Sequence, residues 1–72
     1  MSKELFSFLK GWMQLRQIDT EAVKTRIMKA LGITTRTSWS NRLNGHIEPK
    51  VSEVRAIEAI FADYGITDIW GK

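Results

Sequence analysis

The stretch from Ala22 to Asn44, AVKTRIMKALGITTRTSWSNRLN, constrains the fold more than any other, because it packs a helix, a hard stop and a second helix into close succession. Val23, Ile27, Ala30 and Leu31 recur at helical spacing and point inward, and Gly32 and Ile33 follow them. Glycine takes the left-handed conformation that closes a helix, and the next apolar residue folds back on the last turn, here toward Met28. Thr34, Thr35, Arg36, Thr37 and Ser38 come next, and then Trp39 and Leu43 stand four apart, the interval of one helix face. A second helix is therefore expected from near Thr37, joined to the first by a tight turn.

This stretch also lacks acid. No Asp or Glu occurs between Glu21 and Glu48, while Lys24, Arg26, Lys29, Arg36 and Arg42 all lie there. The formal net charge is only +3, but residues 16–50 carry seven Lys or Arg against three Asp or Glu, and residues 51–72 carry two against four. A positive centre beside an acidic end favours one orientation toward a polyanion.

On either side the helical pattern continues. Leu5, Phe6, Leu9, Trp12 and Met13, widened by Phe8 and Leu15, predict a first helix from about Ser2 to Gln17. Gly11 inside it costs up to about 1 kcal/mol relative to Ala, which points either to close packing of another helix there or to simple tolerance. Asp19 and Thr20 are cap-forming residues ahead of Glu21, so the second helix is expected to start there, with Glu21 in reach of Lys24. Gly45 ends the third helix, and Pro49 cannot continue it. Val51, Val54, Ile57, Ile60, Phe61 and Tyr64 predict an amphipathic fourth helix stopped by Gly65. Thr67 is expected to cap a short final turn that tucks Ile69 and Trp70 against a core of Trp12, Ile27, Leu31, Trp39, Leu43, Ile57 and Phe61.

The chain of 72 residues reads as one domain, 1–72, near the size at which about 60% of the unfolded surface is buried. Without cysteine there is neither a disulfide framework nor a thiolate metal site. The start, Met-Ser-Lys-Glu, lacks a signal-peptide core, and no segment approaches the roughly 18 unbroken apolar residues of a membrane helix, so a cytoplasmic protein without a membrane partner is expected. One histidine, His46, and no glycine-rich phosphate loop leave no catalytic constellation. Neither an enzyme, a cofactor nor a small-molecule ligand is expected.

With Trp39 and Leu43 facing inward, helix geometry puts Asn41 diametrically outward, flanked by Thr37, Ser38, Asn44 and partly Arg42. Thr, Ser and Asn are poorer helix formers than the Glu, Lys and Ala of an ordinary free surface. Contact with base edges supplies a reason for them, since Asn pairs bidentately with adenine and Arg with guanine in the major groove. The bland alternative is a helix that is merely polar.

The order of residues in MKALGITTRTSWSNRLNGHIEP, followed by the amphipathic fourth helix, resembles the lambda-repressor-like, Cro-type or xenobiotic-response-element helix-turn-helix family over about residues 20–65. Leu31-Gly32-Ile33, Trp39 with Leu43, and Gly45 with Pro49 carry the resemblance. It implies an all-α, compact four- to five-helix lambda-repressor-like helix-turn-helix domain, with the helix-turn-helix at about 20–45. It further implies that the third helix lies in the major groove of double-stranded DNA, with Thr37, Ser38, Asn41 and Arg42 at the bases. Lys24, Arg26, Lys29, Thr35, Arg36, Asn44, His46 and Lys50 are the expected phosphate contacts.

The function expected is therefore sequence-specific DNA binding by a small bacterial or phage-type transcriptional regulator. The alternative is a protein-interaction module that keeps the fold without DNA binding and works through Phe61, Tyr64 or Trp70. A homodimer through the C-terminal third is expected from its apparent surplus of apolar residues, Tyr64, Ile66, Ile69 and Trp70.

Overall fold

Three of the helices stop on a glycine in the left-handed region, and each stop is locked by the same pair of backbone bonds. The computed structural model describes residues 5–72, and among them the elements are α1 (Leu9–Trp12), α2 (Gln17–Leu31), α3 (Arg36–Leu43) and α4 (Val51–Ala62), with no strand. Gly32, Gly45 and Gly65 have φ of 68°, 80° and 75°. The residue after each reaches back five positions: Ile33 N–H donates to Met28 O at 3.0 Å, His46 N–H to Asn41 O at 2.9 Å, and Ile66 N–H to Phe61 O at 3.1 Å. These are Schellman closures, which satisfy carbonyls that a helix end leaves without partners. They let α2, α3 and α4 follow one another at short intervals around one core.

That core holds Phe8, Val23, Ile27, Trp39, Ile57, Ile60, Phe61, Ile66 and Ile69. Trp12, Leu31 and Leu43, expected inside, are half-buried against it. Phe8 is its aromatic hub, edge-on to Trp39 at 5.7 Å and to Trp70 at 6.3 Å, and tilted against Phe61 at 6.3 Å. α2 packs along α4. Its inward stripe is Thr20, Val23, Lys24, Ile27, Met28 and Leu31, a run of three- and four-residue steps, so Ala30 falls on the edge and is exposed rather than inward.

Four boundaries differ from the expected ones. The long first helix is not formed as a unit: its residues 2–4 lie outside the described chain, and within it Ser7 and Phe8 are non-helical. Ser7 Oγ accepts the Leu9 N–H at 3.2 Å, a local side-chain bond that competes with the helix ladder. α2 starts at Gln17, earlier than Asp19 to Glu21, because Arg16 is already extended at ψ 146° and its Nε meets Asp19 Oδ2 at 3.0 Å. α3 begins at Arg36, and α4 ends at Ala62, short of Tyr64. Val51, at the head of α4, is 68% exposed because it precedes the part of the helix that meets the core.

A fifth difference is at the C-terminal end, where residues 66–69 form no helical turn. They run as a strap across α1, and the first turn of α1 explains why. Its amide groups have no partners within so short a helix. Gly11 N–H donates to Ile69 O at 2.9 Å and Lys10 N–H to Gly71 O at 3.0 Å, while Gly71 N–H donates to Ser7 O at 2.7 Å. Gln14 Nε2 adds a bond to Asp68 O at 2.7 Å, and Lys10 pairs with Asp68 at 3.2 Å. Close packing at Gly11 is thus present, against this strap rather than a helix: a Cβ there would lie 3.1 Å from Ile69 Cα. Ile66 and Ile69 are buried by the same arrangement. Of the four apolar residues that pointed to a dimer, Ile66 and Ile69 are used inside the domain, while Tyr64 and Trp70 are half-buried.

Candidate nucleic-acid interface

The turn between α2 and α3 ends on Thr35, whose extended backbone (φ −110°, ψ 154°) makes it the cap of α3. Its Oγ1 accepts the Ser38 N–H at 3.1 Å and donates to Ser38 Oγ at 2.9 Å. A Thr cap of this kind contributes about 1 kcal/mol relative to Ala. It also occupies the side chains of two expected contact residues with each other, so Thr35 and Ser38 shape the head of α3 while remaining at its surface.

Beyond the cap, Arg36, Thr37 and Ser40 are exposed and Trp39 is buried beneath them. Asn41, placed outward by helix geometry, is half-buried, and no side-chain hydrogen bond of Asn41 is made among the described residues. Asn44 Nδ2 donates to Ser40 O at 2.9 Å and approaches Ser40 Oγ at 3.3 Å, which draws Asn44 back along its own helix. Ser40 was not among the expected contacts. Its exposure was legible from its position one residue past Trp39, about a quarter-turn off the buried line.

Three basic residues stand differently from expectation. Arg42 is engaged within the domain: its Nη1 and Nη2 grip the Glu53 carboxylate on α4 at 2.9 and 3.3 Å, with both side chains largely buried at 16% and 14% exposure. The cause is the register of α4. Glu53 is the third residue of that helix, where its Oε1 also accepts the Lys50 N–H at 2.9 Å, and this fixes the carboxylate under Arg42. Arg42, and to a smaller extent the Lys50 amide, hold the Glu53 carboxyl below its ordinary range against the opposing effect of burial.

Arg26 bonds Asp63 at the end of α4 at 2.8 Å, and this bond, more than any other influence, raises the guanidinium above its ordinary range. Both partners are substantially exposed, so the pair is solvent-screened and open to exchange for a phosphate. Lys24 does not pair with Glu21. Its Nζ lies 5.7 Å from the centre of the Trp39 ring, a cation-π placement that carries its charge toward α3. Trp12 meets the same indole edge-on at 5.2 Å. Lys29, His46 and Lys50 are exposed, with no acidic partner within 4 Å among the described residues.

The structure therefore brings together Lys24, Thr35, Arg36, Thr37, Ser38, Ser40 and Asn41 on and around α3, and ties Arg42 to Glu53 on α4. The aromatic surface expected of an interaction module is not present in that form. Phe61 is fully buried, and the Trp70 indole N–H is bound to Glu58 Oε2 at 2.9 Å. No group of three or more His, Cys, Asp or Glu placed to hold a metal occurs among the described residues, and no helix among them is long and apolar enough to cross a membrane.

Comparison of the chain with protein-family models, with curated proteins and with solved structures finds no match. The functional reading rests on the residues themselves.

Proposed function

We propose that this chain is a sequence-specific DNA-binding protein of the lambda-repressor-like helix-turn-helix kind, a small bacterial or phage-type transcriptional regulator that lays α3 in the major groove of double-stranded DNA. The observation that carries the proposal is the outward face of α3. Arg36, Thr37, Ser40 and Asn41 present short hydrogen-bonding groups and one cation without an acidic partner among the described residues, in a stretch without an acidic residue from Ala22 to Ile47. A solvated helix of the same length gains nothing from such weak helix formers, whereas base edges are read by groups of this reach.

In this reading Thr37, Ser40 and Asn41 meet bases, and Ser38 contributes through the proton its hydroxyl still carries. Lys29, Arg36, His46 and Lys50 meet phosphates, with Lys24 and Arg26 joining them as their local partners are exchanged. Arg42 stays with Glu53 as part of the frame that holds α3 on α4. Phosphate contacts position such a protein, and base contacts give it sequence preference.

The test is selection of bound duplexes from a random DNA pool. Enrichment of a defined sequence, with affinity that falls steeply as salt rises, is the expected outcome. A pool that stays random after repeated rounds would end the proposal. Enrichment of a palindrome would in addition establish a dimer on DNA, with half-site centres about 10 base pairs apart.

A further inference from the structure

Among the described residues Ser7 is the one polar residue in the interior, 0% exposed, and it touches three separate parts of the domain. Its Oγ accepts the Leu9 N–H of α1 at 3.2 Å and donates to Leu43 O of α3 at 2.7 Å. Its carbonyl accepts the Gly71 N–H of the C-terminal strap at 2.7 Å. Leu43 O belongs to the last turn of α3, where carbonyls lack helical donors. The neighbouring acceptors in that turn are bound locally, Asn41 O by His46 N–H and Arg42 O by Gly45 N–H. Leu43 O alone among these is held by a residue from a distant part of the chain.

We infer that Ser7 is a positioning residue for the DNA-facing helix: through it the strap at residues 68–71 sets the last turn of α3 and so the sequence selectivity of the face that Asn41 belongs to. The inference rests on the reading of α3 as the DNA-facing helix. Its physical basis is that a buried hydroxyl held on both sides has one orientation. The strap fixes the Ser7 backbone, the Ser7 hydroxyl fixes the Leu43 carbonyl, and Asn41 lies half a turn before that carbonyl. Ser7 itself touches nothing that DNA would touch.

Two variants perturb this chain of contacts at different links. Ser7→Ala removes the hydroxyl. Gly11→Ala leaves Ser7 intact but places a Cβ 3.1 Å from Ile69 Cα, so the strap must shift. Hydrogen exchange measured amide by amide is the first readout, since it does not depend on DNA. Both variants should speed exchange at Asn44, Gly45 and His46 by roughly five- to tenfold relative to the amides of α2 and α4, the scale of one lost buried hydrogen bond. Uniform acceleration in every helix, or no selective change in either variant, would overturn the inference.

The second readout is affinity for a duplex recovered by selection and for a scrambled duplex of the same length. Both variants should lower the ratio of the two affinities by roughly three- to tenfold, within the discrimination that one base contact supplies. The scrambled duplex should be bound nearly as before. Selective exchange together with an unchanged ratio would refute the link to selectivity. If the unaltered protein binds no DNA, the reading of the face fails, and with it the link to selectivity, while the exchange pattern by itself decides whether Ser7 holds α3.

Discussion

Arg42 and Glu53 meet end to end across α3 and α4, two nitrogens on two oxygens, at a place where water reaches neither side chain freely. A forked pair in that setting is stronger than a surface ion pair, and removing one partner leaves the other charge half-buried and unmatched. The pH dependence has a definite sign. The folded-state pKa of Glu53 is depressed, so its contribution to stability is full above the ordinary carboxylate range and disappears as pH falls through the lower folded value. Glu53→Gln should therefore cost about 1 to 3 kcal/mol at neutral pH, with the deficit against the unaltered protein closing in acid. Denaturant melts of both proteins at a series of pH values measure it, and a deficit constant with pH would contradict the pairing.

Arg42→Lys keeps the charge and loses the fork. It should lower the melting temperature as Glu53→Gln does, while the ratio of affinities for a selected and a scrambled duplex stays unchanged. A large loss of that ratio with stability intact would return Arg42 to the base edges.

Asn41→Ala should weaken binding to the selected duplex by about 1 to 3 kcal/mol, leaving binding to the scrambled duplex and its salt slope nearly unaltered. Lys29→Ala and Arg36→Ala should weaken both duplexes alike and reduce the salt slope by about one unit each. Titrations at several salt concentrations separate the two patterns, and equal losses for Asn41→Ala on both duplexes would remove it from the readers.

Trp39 is 6% exposed and meets both Phe8 and Trp12 edge-on. Its replacement by Ala should cost about 3 to 5 kcal/mol, as for large aromatic truncations in packed interiors. In so small a domain that is a large part of the whole stability. Calorimetry showing an unshifted transition would contradict its place in the core.

Gly32→Ala isolates conformation from packing, because φ is +68° and nothing lies within 4 Å of the added Cβ. About 1 to 2 kcal/mol should be lost through the left-handed backbone alone. A variant as stable as the parent would show that the turn relaxes by changing its backbone.

What could be read from the sequence is what local rules govern. The Gly32 stop, the Ile33 return to Met28 and the burial of Ile27, Trp39, Ile57 and Phe61 follow from spacing and glycine chemistry, and all are found. The head of α3, expected near Thr37, lies at Arg36, one residue earlier, because Thr35 supplies the cap. What escaped depends on contacts between distant residues. Nothing in the neighbourhood of Ser7 announces a hydroxyl bound to Leu43, and the strap replaces a plausible Thr67-capped turn only because α1 needs acceptors for its amides. Arg42 is expected at the bases only through the family resemblance, helix geometry placing it partly outward. Glu53 sits at the third position of α4, after Lys50, and there a carboxylate is a recognisable capping signal, so the pair was half legible from that side.

The strap has a kinetic meaning as well. Gly71 and Ser7 stand near opposite ends of the described chain, so the bond between them closes the longest backbone-bonded loop among the described residues and gains little until the segments between are already ordered. Helices α2 and α4, linked by short connections, can assemble early, and the strap docks last. An interaction formed after the transition state acts on the unfolding rate and hardly on the folding rate. Weakening the strap should thus shorten the lifetime of the native state while the chain refolds about as fast as before, so the fastening that comes last in assembly decides how long the assembled protein endures.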